Sequence, residues 1–249
     1  MTVENSLTVI VTTSPVPSNP SIKMITTVIK SLEENVFNEK KYKVIIACDG
    51  SNTKNDKYDQ FVKKLKDFYS SNSTVTIVLN ANKGHLSGNI RNAFNHVNTE
   101  FVMLIQHDLL FIKKINIEHI LEDMRNNLEL KHVRFNKRNN VKAGWDNTLL
   151  FASKKIKGNN TYILTEAWSD QNHITRADYY RNIVLREVND GIFMESLLNN
   201  ISKGHHDKYG TYIYGDLDEK NAIVHLDGSE QRRGKTGQEC KTYMSTYID

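Results

Sequence analysis

Four short runs of unbroken apolar, largely β-branched residues fall within the first 106 positions, and segments of helical period separate them. The runs are LTVIVTT from Leu7 to Thr13, YKVIIAC from Tyr42 to Cys48, Thr74 to Leu79, and Glu100 to Gln106. A strand with one wet face alternates apolar and polar residues, so a run without alternation has to bury both faces, as in a parallel sheet covered by helices on each side. Between the runs, Ile22, Ile25, Val28, Ile29 and Leu32 recur at helical spacing after Pro20, and Phe61, Val62, Leu65 and Phe68 do so between Asp56 and Tyr69. A further helix is expected around Asn89 to Val97. The predicted fold class is α/β, with a Rossmann-like, mostly parallel central sheet flanked by helices and a smaller mixed region behind it.

In open parallel sheets, ligands bind beyond the carboxyl ends of the strands. Here those ends read Thr12-Thr13-Ser14, Asp49-Gly50-Ser51, Asn82-Lys83-Gly84 and His107-Asp108, all polar or glycine-bearing. Asp108 follows directly on an apolar strand, and a carboxylate placed there is a hard oxygen ligand for Mg²⁺ or Mn²⁺. Near the other end, Ala222 to Leu226 (AIVHL) reads as a strand carrying His225 into a turn. An imidazole beside carboxylate and phosphate oxygens favours Mn²⁺. That pairing requires Asp108 and His225 to meet in space.

Composition narrows the classes. The 249 residues carry 33 Lys and Arg against 29 Asp and Glu, a formal surplus of 4 spread among acids in nearly every window, which argues against a nucleic-acid partner. Two cysteines, Cys48 in an apolar run and Cys240 in a polar tail, suit a reducing compartment. No stretch reaches the roughly 20 apolar residues of a membrane span, and the N-terminus lacks a basic segment followed by an apolar one. The chain reads as soluble and cytoplasmic. Walker and G-x-G-x-x-G sequences, H-E-x-x-H, paired CxxC and G-x-S-x-G are all missing from it, which leaves group transfer from a nucleotide.

The order TVIVTTSP, VIIACDGSN, NKGHLSGNIRNAF and EFVMLIQHDLLF resembles the donor half of GT-A glycosyltransferases, in particular those similar to family 2, over residues 7 to 120. The resemblance implies that Thr12, Asp49, Lys83, Gly84, Arg91 and His107 hold a nucleotide sugar, with Asp49 on the base or ribose. The acidic D-x-D metal motif of that family falls on Gln106-His107-Asp108, where only the last position is acidic, so Asp108 is the implied metal ligand and His107 a ribose or outer contact. The late V-H-L-D-G looks like the family's histidine ligand, His225. Downstream, the stretch from Glu166 to Leu198 resembles the acceptor side, which makes Glu195 the implied catalytic base and Asp170 the second candidate. Trp168, Asn172 and His173 are the expected acceptor contacts. Trp145 also offers a ring to a sugar face. Arg232, Arg233 and Lys235 form either a lid over the donor or a solvated tail.

The resemblance implies one GT-A-like domain, with residues 1–120 binding the donor and 121–249 the acceptor. The implied reaction is Mn²⁺- or Mg²⁺-dependent transfer of a sugar, hexosyl or pentosyl, from a nucleoside diphosphate sugar, UDP foremost, to a glycan hydroxyl, with inversion. The Asn- and Lys-rich, proline-poor composition fits an AT-rich genome, and some large DNA viruses carry enzymes of this look. Two other readings stay open. A sugar nucleotidyltransferase would start with a glycine-rich basic loop, which TTSPVPSNP is not, and a GT-A fold without turnover would only bind glycan or nucleotide.

Overall fold

The computed structural model describes residues 6–226 apart from 39, 52, 143–149 and 167. The four expected strands form as β1 (Leu7–Thr13), β2 (Lys43–Cys48), β3 (Val75–Leu79) and β4 (Phe101–Gln106). They lie parallel in the order β3-β2-β1-β4, with Val9 level with Val44 on one side and Met103 on the other. Every residue of β1 is buried, as its lack of alternation requires. Its odd positions, Leu7, Val9 and Val11, join one apolar cluster, while Ile10 joins a second on the opposite face.

Helix α1 (Lys23–Leu32) runs into a π-helical turn over Glu33–Phe37 and packs Ile25, Val28 and Leu32 into the first cluster. Helix α2 (Asp56–Phe68) starts at Asn55, whose side chain accepts a hydrogen bond from the Tyr58 amide at 3.2 Å. Helix α3 spans His85–Phe94 and so begins before the expected Asn89. Gly88 weakens the helical signal there, and it is tolerated because Asp190 lies against it: a Cβ at Gly88 would sit 3.3 Å from the Asp190 carboxyl carbon.

The second half adds β5 (Leu109–Phe111), α4 (Ile117–Asn126), β6 (His132–Arg134), β7 (Leu150–Lys157), β8 (Thr161–Thr165) and β9 (His173–Arg176). A helical segment follows, α5, made of Ala177–Tyr179, a π-helical stretch Tyr180–Val184 and Leu185–Glu187. Then come α6 (Met194–Ser202), α7 (His206–Tyr209), β10 (Thr211–Tyr214) and β11 (Ile223–His225). The main sheet continues from β4 through β9, β6, β10 and β8 to β7, with β9 antiparallel to both of its neighbours. One sheet therefore runs through both halves of the chain.

The strand expected around His225 exists but lies outside that sheet. β11 pairs antiparallel with β5, placing His225 level with Leu109, and the Leu226 amide donates to the Asp108 carbonyl at 2.8 Å. No helix among the described residues is long and apolar enough to cross a membrane.

Candidate active site

The carboxyl ends of β1, β2 and β4 and the loop before α3 enclose a cavity of about 710 Å³. The strand ends named from the sequence meet there: Thr12, Asp49, Lys83, His107 and Asp108 all line it, and Asp170 joins them. The site lies where a doubly covered parallel sheet places its ligands.

Asp49 is buried, and one of its oxygens, Oδ1, accepts from the Gly50 amide at 2.9 Å and the Gly84 amide at 2.8 Å. This ties the end of β2 to the start of α3. Gly84 does its work through its backbone, and a Cβ there would approach Gly88 Cα to 3.0 Å. Asn89 completes the fastening by donating from Nδ2 to the Thr13 carbonyl at 3.1 Å and the Ala47 carbonyl at 2.8 Å.

His107 turns back on β1. Its amide and its Nδ1 both meet the Thr12 carbonyl, at 3.2 Å and 3.1 Å. A carbonyl only accepts, so Nδ1 donates this bond, and the buried Nε2 has no partner among the described residues. Asp108 and His225 converge as required: Nε2 of His225 lies 3.4 Å from Asp108 Oδ2, with both side chains mostly buried. Asp108 Oδ1 is buried without a hydrogen-bond partner. An anionic oxygen left unpaired in a polar cleft is a costly arrangement that a bound cation relieves.

Behind them lie the two candidate bases. Glu195, in the first turn of α6, accepts from Ser169 Oγ at 2.7 Å. Asp170 accepts from Gln106 Nε2, at 3.0 Å on its carbonyl and 3.3 Å on its carboxylate. Burial pushes the Asp170 carboxyl up to about 7, the charge of Glu195 adds to the shift and that of Asp108 contributes further, while the Gln106 amide opposes it. An acid at 106 would have brought another negative charge against Asp170, whereas glutamine supplies a donor.

Of the expected residues, Gly84, Glu195 and His225 stand behind the cavity wall without lining it, and Arg91, Trp168, Asn172 and His173 are engaged elsewhere. Arg91 donates from Nε to Asp190 at 2.8 Å and from Nη2 to the Val188 carbonyl, so it braces the segment before α6. Trp168 is fully buried and packs on His132, with ring centroids 5.1 Å apart. Asn172 is also fully buried, donating to the Leu109 carbonyl at 3.0 Å and accepting from the Gln106 amide at 2.9 Å. His173 stacks on His132 at 4.1 Å, and burial lowers its pKa to about 4. Asn172 thus ties the start of β9 to β4 and β5, while Asp170, two residues before it, lines the cavity. Trp145, Arg232, Arg233 and Lys235 lie outside the described residues.

Sequence reasoning passed over Asn89, Gln106, Ser169, His85 and Phe193. His85 lines the cavity with φ at 53°, a left-handed backbone that is uncommon outside glycine. For Asn89 a signal existed: Leu86, Asn89 and Ala93 share one helix face, and Arg91 stands about 140° away from Leu86 at 100° per residue.

A model of the family described as glycosyl transferase family 2 matches residues 16–193. The chain belongs to that family. The family match covers β2 through β9 and ends at residue 193, so Glu195 and His225 lie beyond it. Solved structures extend the likeness. S. aureus TarS superposes with a TM-score of 0.55 at 14% identity, covering 91% of this chain and 38% of that one. TarS 1-349 in complex with UDP-GlcNAc gives 0.55 at 14%, covering 97% and 65%. Mannosyltransferase PcManGT from Pyrobaculum calidifontis, in complex with GDP-Man and Mn²⁺, gives 0.56 at 13%, covering 88% and 56%. The shared fold is that of GT-A glycosyltransferases. The chain spans 38% to 65% of the length of these three structures. No curated relative matches it in sequence.

Proposed function

We propose that this member of family 2 transfers a sugar from a nucleoside diphosphate sugar, UDP foremost, to a glycan hydroxyl with inversion, using a divalent cation. The observation that carries this reading is the meeting of Asp108, which lines the cavity at the strand ends, with His225 behind it, 3.4 Å away. Support also comes from the contents of similar folds, UDP-GlcNAc in TarS and GDP-Man with Mn²⁺ in PcManGT.

The residues fit a cation. Asp108 brings a buried oxygen without a partner and His225 an imidazole nitrogen, a mixed pair that suits Mn²⁺ over Mg²⁺. No group of three or more His, Cys, Asp or Glu side chains poised for a metal occurs among the described residues, and a cation held by this pair would take its remaining ligands from diphosphate oxygens and water. The cation, when bound, supplies charge neutralisation at the leaving diphosphate. Lys83 and His107 line the same space and bind the donor, while Asp49 faces the base or ribose with the oxygen that the backbone amides leave over.

Glu195 takes the proton from the acceptor hydroxyl, with one carboxylate oxygen fixed by Ser169. Asp170 is the second candidate for that role, since a carboxyl titrating near neutrality is matched to proton abstraction.

Thermal unfolding with UDP, GDP and dTDP, each with and without Mn²⁺, tests the reading. A nucleotide at 100 times its Kd adds about 2.7 kcal/mol, or about 5–10 °C for a domain of this size. UDP with Mn²⁺ is expected to exceed the sum of either alone, and slow release of UDP from a UDP-sugar separates an enzyme from a binding module. If none of the three nucleotides shifts the transition in the presence of Mn²⁺, the reading is wrong.

A further inference from the structure

A large apolar side chain left in water at the wall of a cavity needs a reason. Among the described residues, Phe68, Leu79, Leu128, Val141, Ile192 and Phe193 are exposed, and of these Phe193 alone lines the 710 Å³ cavity. It is 66% exposed, with Ile192 beside it at 38%. The ring is not part of either large apolar cluster, so packing does not account for it.

Its position is nevertheless fixed by the backbone around it. The Gly191 amide donates to the Gly84 carbonyl at 3.0 Å, and Ser87 Oγ donates to the Ile192 carbonyl at 3.3 Å. Arg91 holds Asp190 and the Val188 carbonyl. Gly191, at φ 82°, makes the turn that a side chain would resist. The segment is thus sewn along α3, the helix whose first turn lines the donor side, and it presents the ring as the residue preceding α6. Glu195 follows two positions later, and Asp170 lines the same cavity. An exposed aromatic face on a backbone-anchored turn, lining the same cavity as Asp170, is suited to the apolar C–H face of a sugar ring. Trp168, the ring the sequence favours for that purpose, is enclosed in the core.

We propose that Phe193 is the platform on which the acceptor packs, and that the acceptor is a cyclic glycoside rather than an open-chain polyol. The inference rests on the glycosyl-transfer reading above. Its test uses the full chain with UDP and Mg²⁺, a panel of methyl pyranosides (gluco, galacto, manno and N-acetylglucosamine forms) and ribitol as the open-chain probe. Saturation-transfer NMR reports binding of each probe, and calorimetry reports UDP affinity.

At least one methyl pyranoside is expected to bind the wild type through its ring C–H protons, and ribitol is not. Phe193→Ala should weaken that binding by about three- to tenfold, and Phe193→Trp should retain it. UDP affinity should change by less than twofold in both variants. Equal pyranoside binding by Phe193→Ala and wild type, binding of ribitol as well as pyranosides, or no pyranoside binding to a protein that does bind UDP would each overturn the inference and leave the donor reading standing. A loss of UDP affinity in Phe193→Ala would overturn it too, by placing the ring against the nucleotide. Wild type that binds a pyranoside through Phe193 but never UDP would keep the platform and remove the donor reading.

Discussion

Asp170 is the most perturbed acid in the cleft, and the sign of its effect on stability follows from the direction of the shift. Its folded-state pKa is raised to about 7 from 3.8. Between those values the folded protein holds a proton that the unfolded chain releases, so stability falls as pH rises through this window and stays lowered above it. Asp170→Asn removes that dependence. The variant should melt above the wild type at pH 8, with the advantage gone near pH 4; melting curves across the range check this, and a constant difference at all pH values would contradict it. Glu195→Gln should instead spare the fold and lower turnover by about a hundred- to ten-thousandfold, read as UDP release with acceptor present. At this scale the sequence marked Asp49, His107 and Asp108 because they stand at strand ends, and all three line the cavity. It misled at Trp168, Asn172 and His173, because a polar residue that fastens two strands and one that faces water look alike in a single sequence. The same ambiguity hid Gln106, whose amide matters only because Asp170, 64 positions later, lies against it.

At the scale of elements, the loops that end the strands are held by close backbone approach. A Cβ on Gly50 would lie 2.2 Å from the Asn82 carbonyl oxygen and 2.8 Å from that of Asn80. No real side chain tolerates that, so Gly50→Ala must push the β3–α3 loop away from the end of β2. We expect a stability loss of about 1–3 kcal/mol, as for overpacking in a core, seen as a lower urea midpoint. UDP affinity should drop with it, because the displaced loop carries Lys83 and Gly84. Unchanged affinity would mean that this loop does not shape the donor site. D-G-S is legible as a turn in the sequence, but the reason for its glycine is proximity to another loop, which no local pattern reveals. β1 to β4 were legible because both of their faces are apolar. β6 and β9 were not, since His132–Arg134 and His173–Arg176 are short, mix polar with apolar residues and become strands only by pairing with each other and with β4.

Across the whole molecule, the site is closed by a contact between the middle of the chain and its far end. β11 lies along β5 through Ile223, Val224 and His225, the Ile112 amide donates to the Ala222 carbonyl at 2.9 Å, and the Leu226 amide caps the Asp108 carbonyl. These are backbone bonds, so they hold whatever side chain stands at 225. That separation makes His225→Ala a clean probe of the proposed cation. The variant should melt close to the wild type without ligand, while the Mn²⁺-dependent part of its UDP affinity should fall by about tenfold or more, a loss that even the outer partners of metal ligands produce. The preference for Mn²⁺ over Mg²⁺ should shrink as well, because the remaining Asp108 carboxylate is a hard oxygen ligand that suits either ion. Calorimetric titration of UDP into wild type and variant, at matched Mn²⁺ and Mg²⁺ concentrations, separates the two effects. If the variant keeps both the affinity and the metal preference of the wild type, the meeting of Asp108 and His225 is a fold contact and the cation is held elsewhere.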